Sequence, residues 1–283
     1  MDMRVRRPCV AGSFYPGTQD GLRRAIEEAF RHELGPGRKP ERVLEERQTI
    51  SVICPHAGYM YSGPVAAHSY FILGCEPRPA SVIVIGPNHT GLGSPISIMA
   101  EGIWRTPLGD VEVDADLAGA ILRYSEMIDV DELAHSREHS IEVQLPFLQY
   151  IYGPELRFVP ICMGLQDLDS SREVGGAIGK ALGGRDAVII ASTDLTHYEP
   201  QASAKRKDMM VIESILSMDE ASLHERVYKN RISMCGYGPV SASLLASKAA
   251  GSKRAELLAY HTSGDVTGDY SAVVGYASIR VYR

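Results

Sequence analysis

Apolar and β-branched residues along the chain fall into short runs that stop abruptly at a proline, a glycine or an aspartate. Ile50, Val52 and Ile53 lead into Cys54-Pro55-His56-Ala57-Gly58-Tyr59. Ser81-Val82-Ile83-Val84-Ile85 leads into Gly86-Pro87-Asn88-His89, and Ala187-Val188-Ile189-Ile190-Ala191 into Ser192-Thr193-Asp194-Leu195-Thr196-His197. Unbroken apolar runs of this length, bounded by turn residues, predict buried strands. Longer stretches with helical spacing separate them. One covers residues 18–34, with Leu22, Ile26, Phe30 and Leu34 on one face and Gly35-Pro36-Gly37 as the stop. Others are expected at 65–73 behind Gly63-Pro64, and from the capping Asp114 to residue 124. A further one is read from Ser136 toward Tyr152 with a kink at Pro146, and the rest at 170–182, 202–217, 220–229 and 240–250. Strands are also expected at 156–163, 256–261 and 272–281, with two short ones inside 95–113.

This alternation predicts an α/β protein, with residues 1–283 forming a single domain around a mixed, mostly parallel central sheet flanked by helices. In an open α/β sheet, ligands bind outside the carboxyl ends of the strands. Three strand ends therefore bring His56, His89, Asp194 and His197 around one crevice, which we read as a metal site.

Composition narrows the function classes. At 283 residues, with 45% hydrophobic and 23% charged residues, the chain can bury a full-sized core. A net charge of −6 argues against nucleic acid as a partner, because phosphate binding wants a basic stripe. The cluster Lys205-Arg206-Lys207 reads as a solvated helix face. Cys9, Cys54, Cys75, Cys162 and Cys235 show neither CxxC spacing nor a disulfide framework, and Cys54 and Cys162 lie in strand-like runs as buried thiols. No stretch has the length of a membrane span, so no membrane partner is expected and the cytoplasm is the expected location.

Each candidate has a plain alternative. A loop histidine such as His56 or His89 can be a hydrogen-bonded cap, but imidazole is also the commonest metal ligand. Asp194 and His197, three residues apart, read either as an acid/base pair or as a helix cap with an incidental histidine. Cys235 precedes Gly236 and a helix start, a position that favours thiolate; the alternative is a small buried hydrophobe. Glu138 and His139 can cap a helix or face the crevice, and Tyr59 and Tyr61 can line it or simply pack. His32, His68 and His224 receive no role, and His135 and His261 stay undecided. A Cys235–His197 nucleophile pair remains open. No GxSxG, HExxH or Walker motif is present.

Taken together, Ala11-Gly12-Ser13-Phe14-Tyr15, Pro55-His56-Ala57-Gly58-Tyr59, Gly86-Pro87-Asn88-His89, Glu138-His139-Ser140-Ile141-Glu142, Ser192-Thr193-Asp194-Leu195-Thr196-His197 and Cys235-Gly236 resemble, in this order, the Memo family (mediator of cell motility). The resemblance implies a fold similar to the class III extradiol (LigB-like) dioxygenases. It implies a metal held by His56, His89 and Cys235, with His197, Asp194 and His139 as catalytic neighbours. The dioxygenases carry a two-histidine, one-carboxylate site for iron(II); a thiolate in the carboxylate's place is softer and suits copper as well as iron. The expectation is a metal-dependent redox enzyme using Fe(II) or Cu, acting on dioxygen or a small-molecule substrate. The alternative is a non-catalytic protein binding a peptide or metabolite in the same crevice. Metal-assisted or cysteine hydrolysis is a third reading.

Overall fold

The computed structural model describes residues 4–283. Its strands are β1 (Val5–Arg6), β2 (Thr49–Cys54), β3 (Ser81–Pro87), β4 (Ile96–Ile98), β5 (Ile103–Thr106), β6 (Gly109–Val113), β7 (Asp129–Val130), β8 (Arg157–Met163), β9 (Ala187–Ser192), β10 (His197–Glu199), β11 (Arg254–Thr262) and β12 (Val273–Tyr282). The helices are α1 (Gln19–Arg31), α2 (Tyr59–Cys75), α3 (Ala115–Leu122), α4 (Leu145–Tyr152), α5 (Leu168–Leu182), α6 (Gln201–Leu216), α7 (Glu220–Asn230), α8 (Tyr237–Ala249) and α9 (Gly264–Thr267).

One sheet runs β1-β5-β6-β8-β3-β9-β2-β12-β10. The pairs β6–β8, β8–β3, β3–β9 and β9–β2 are parallel, whereas β12 joins β2, β10 and β11 antiparallel. The sheet is thus mixed and mostly parallel at its centre, flanked by helices, as expected. Parallelism matters for function because it puts the carboxyl ends of β2, β3 and β9 side by side at one edge.

Successive strand residues face opposite ways, so β3 sends Val82 and Val84 into the layer containing α1, α2 and α4, and Ile83 and Ile85 into the layer containing α3 and α5. A third cluster packs α6, α7 and α8 against Ile53, Ile279 and Val281. Burial on both faces is why these strands carry continuous apolar runs rather than alternation.

Several boundaries differ from expectation, each for a local reason. Helix α2 starts at Tyr59, ahead of Pro64, because the Tyr59 N–H is held by the Phe14 carbonyl at 2.8 Å. The helix expected from Ser136 begins only at Leu145, after a 3-10 turn at Glu142–Gln144, and Pro146 sits in its first turn rather than kinking it. Residues 136–141 form an irregular segment because the Glu138 carboxylate takes the Ser140 N–H, replacing a helical bond. Residues 95–113 hold β4, β5 and β6, one strand more than expected. Strands β1, β7 and β10, two or three residues each, are too short to leave a periodic signal. Asp114 does cap α3, accepting from Leu117 N at 2.9 Å. Among the described residues, no helix is long and apolar enough to cross a membrane.

The opening segment is tied to the body by one carboxylate. Buried Glu142 accepts hydrogen bonds from Cys9 N (2.8 Å), Val10 N (3.1 Å) and the Tyr15 hydroxyl (2.5 Å), and pairs with the buried Arg6 guanidinium. Burial favours its neutral form, but Arg6 and these donors outweigh that and lower its pKa.

Candidate metal centre

His56 follows β2, where Pro55-His56 turns the chain out of the sheet, and its ring is buried. Its backbone N–H donates to Asp194 Oδ1 at 2.8 Å. Its Nδ1 lies 2.9 Å from Ser192 Oγ. That hydroxyl donates to the Ser140 carbonyl (2.7 Å) and accepts from Gln144 Nε2 (2.8 Å). With its only proton spent on Ser140, Ser192 can only accept from His56, so Nδ1 carries the hydrogen and Nε2 presents a lone pair to the crevice. Burial, and then the neighbouring histidines, push the His56 pKa well down and keep the ring neutral, the form a ligand needs.

His89 follows β3. Its backbone N–H and Nδ1 both meet the buried Glu138 carboxylate, at 2.6 and 3.0 Å. Burial would raise the Glu138 pKa, but the His89 hydrogen bond and charge, with the Ser140 N–H, hold it down to about 2. The carboxylate therefore accepts, and His89 Nε2 is left free. His139 Nδ1 is 3.5 Å from the same carboxylate, and burial lowers its pKa. The His139 ring packs on Phe14 with centroids 4.8 Å apart. His56, His89 and His139 can hold a metal ion: each offers a ligand atom within 4.8 Å of the others.

Cys235, two residues ahead of α8, lies behind His56 and outside the group of three histidines, with Sγ 3.2 Å from His56 Nε2 and 3.1 Å from the Asp194 backbone N–H. The expected thiolate is not what the metal-free surroundings favour. Burial, then the Asp194 carboxylate, raise the Cys235 pKa above its usual value, outweighing the N–H bond from Asp194. The thiol thus donates to His56 Nε2, and a cation would have to displace that proton.

Asp194 caps no helix; it follows β9 and binds His56. Burial raises its pKa to about 6 against the opposing pull of the His56 N–H. His197 opens β10 with its N–H on Ser233 Oγ (2.8 Å) and Nδ1 on the Ser233 carbonyl (2.9 Å), leaving Nε2 free. Cys235 hydrogen-bonds His56, so the structure offers no support for the Cys235–His197 pair. Tyr59 packs, its hydroxyl donating to the Val143 carbonyl at 2.7 Å, while Tyr61 lines the crevice. His135 is fully buried beside Trp104, and His261 sits 3.6 Å from Asp265, both apart from the crevice.

The crevice encloses about 740 Å³ and is bounded by His56, His89, His139, Asp194 and His197 on its floor and by Phe14, Tyr61, Tyr198 and Tyr276 on its walls. Ser192 and Gln144, which fix His56, were not singled out from sequence. A glutamine amid Ile141-Glu142-Val143-Gln144-Leu145 is the signal that was there, since a polar side chain in an apolar run needs a buried partner.

The family model for Memo-like proteins matches residues 6–280. The chain belongs to the Memo family. It is similar to other Memo-family chains over almost its whole length. A MEMO1 family protein of Methanopyrus kandleri is 54% identical over 280 residues, covering 98% of this chain and 99% of the relative. Another from Methanocaldococcus jannaschii is 52% identical, covering 97% and 98%. A third, from Methanothermobacter thermautotrophicus, is 50% identical over 97% and 99%. Among solved structures, an uncharacterized protein of Escherichia coli K12 aligns with a TM-score of 0.53 at 13% identity, covering 83% of this chain and 99% of that one. That likeness speaks to the fold alone.

Proposed function

We propose that this Memo-family protein is a metal-dependent oxidoreductase that binds Fe(II) or Cu through His56, His89 and Cys235. The observation that carries the reading is the pair of imidazoles at the ends of β2 and β3, on either side of β9, whose Nδ1 atoms are both engaged, by Ser192 and Glu138, with the Cys235 sulfur 3.2 Å from His56 Nε2. Metal–sulfur and metal–nitrogen bonds of about 2.3 and 2.0 Å at a tetrahedral angle separate their donors by about 3.5 Å, close to the 3.2 Å between Cys235 Sγ and His56 Nε2. His89 already lies with His56 and His139, and it has to draw nearer to the Cys235 sulfur for the two to share an ion. Preference for Cys235 over His139 as third ligand rests on ring orientation. The His89 and His139 rings are stacked, 4.7 Å apart and 26° from parallel. Nearly parallel planes suit one ion less well than the steep angles His56 makes with each ring, 80° to His89 and 87° to His139. Of the stacked pair, His89 has the closer tie to Glu138.

A mixed imidazole–thiolate site supplies Lewis acidity and one-electron redox chemistry to a bound dioxygen or small molecule. The chain's own residues do the rest. His197 Nε2, oriented by Ser233, accepts or returns a proton at the crevice floor. Asp194 holds His56 in place through its backbone N–H, and His139 forms the floor beside the ligands. Metal analysis of untagged protein tests the proposal: the wild type retains an ion stoichiometrically, and a His56→Ala/Cys235→Ala variant does not. Full retention by that variant refutes the assignment. The second reading, a non-catalytic peptide- or metabolite-binding protein, draws on the size of the crevice and its aromatic walls. Dioxygen consumption by metal-loaded protein across a panel of candidate reductants separates the two.

A further inference from the structure

A second cavity, of about 400 Å³, lies between the opening segment and α1, and it shares Ser13, Phe14 and Met60 with the metal crevice. The two spaces are therefore neighbours across one saddle. The saddle's backbone is fixed: Ser13 and Phe14 N–H groups both bind the Val10 carbonyl, and the Phe14 carbonyl holds the first residue of α2. On the crevice side the Phe14 ring packs against His139. The adaptable part is Met60, an unbranched side chain left 69% exposed although it borders both cavities. A flexible thioether left in the open between two cavities suits a surface that adjusts to a ligand lying across it. Beyond the saddle the second cavity is walled mostly by apolar groups, among them Ala25, Ala29 and Pro64, with Glu28 on its outer rim.

From this continuity we infer that the protein takes an elongated ligand with a polar, metal-seeking head and an unbranched apolar tail, the head in the histidine crevice and the tail crossing Met60 into the cavity at α1. The inference rests on the crevice being a metal centre, as proposed above. With the head fixed by the metal in the crevice, a neighbouring cavity lined mostly by apolar groups sorts ligands by tail length, each buried methylene strengthening binding about fourfold.

The test uses the metal-loaded protein and straight-chain hydroxamates, from acetohydroxamate to decanohydroxamate, as probes. Affinity rises about fourfold per methylene over the part of the series that enters the annex, then levels off. In protein labelled at alanine methyls, the long probes shift the Ala25 and Ala29 signals and acetohydroxamate does not. Glu28→Trp, at an exposed rim position, covers the annex and flattens the length dependence while leaving acetohydroxamate binding unchanged. Acetohydroxamate binding with no gain for longer tails, or a gain with Ala25 and Ala29 unmoved, overturns the annex and spares the metal centre. No binding by any member overturns both.

Discussion

Replacing Glu138 with glutamine tests whether the histidines are tuned as ligands. The carboxylate receives three N–H donors: His89 N at 2.6 Å on one oxygen, with His89 Nδ1 at 3.0 Å and Ser140 N at 2.8 Å on the other. Glutamine keeps the shape but has a single acceptor oxygen. Whichever way the amide lies, its NH2 meets an N–H donor. If it meets His89 Nδ1, the ring must either lose that bond or move its hydrogen to Nε2, where the lone pair is needed. A hydrogen bond to a charged group is worth roughly 1.5–3 kcal/mol. Loss of an outer partner of a metal-ligating histidine costs about 10–100-fold in metal affinity, or roughly 1.4–2.7 kcal/mol. The two estimates overlap, so the expected weakening is about 10–100-fold. The assay is an anaerobic competition titration of Fe(II) and Cu(I) against a chromophoric chelator near neutral pH, with thermal melting of the metal-free variant to confirm folding. A folded variant binding within about twofold of wild type refutes the idea that Glu138 poises His89 for a metal.

Ser192→Ala removes the acceptor that sets the His56 tautomer and should weaken metal binding about tenfold, read by the same titration. At Gly236 an added Cβ would lie 2.4 Å from the Ser192 carbonyl oxygen, so Gly236→Ala should displace the neighbouring Cys235 and lower metal content, measured by elemental analysis. Arg6→Met strands the buried Glu142 charge; urea unfolding should show a loss of about 3–5 kcal/mol. Buried His135 has its pKa lowered to about 4, first by burial and then by Arg6. Its folded value lies below the ordinary ~6.5, so stability is full above that pH and falls as the pH drops through about 4. The loss is ~3 kcal/mol, which His135→Gln should remove from denaturation curves taken across that range.

Where the sequence was legible, the reason is physical. Strands β2, β3 and β9 are buried on both faces and must be apolar throughout, so their runs and abrupt ends at Pro55, Gly86-Pro87 and Asp194 stand out in the chain. Those ends are where His56, His89 and Asp194 lie, and their convergence follows from parallel pairing. The segment 136–144 was misread as helix because Ile141, Leu145 and Leu148 carry helical spacing, which extends the pattern of α4 backwards. What decides its shape is a set of side-chain bonds from Glu138, Glu142 and Gln144 to partners up to 136 residues away, which no local pattern records. The protonation of Cys235 was misjudged for a related cause. A helix N-terminus is visible in sequence, but the burial of the sulfur against Asp194 is not.

Which atoms meet the metal decides whether Cys235 or His139 completes the site. Crystals of untagged protein grown anaerobically, with anomalous data collected at the iron and copper edges, should show a single peak per chain in contact with His56 Nε2, His89 Nε2 and Cys235 Sγ. A peak held by His139 with Cys235 turned away, or no peak in the crevice at either edge, would contradict it.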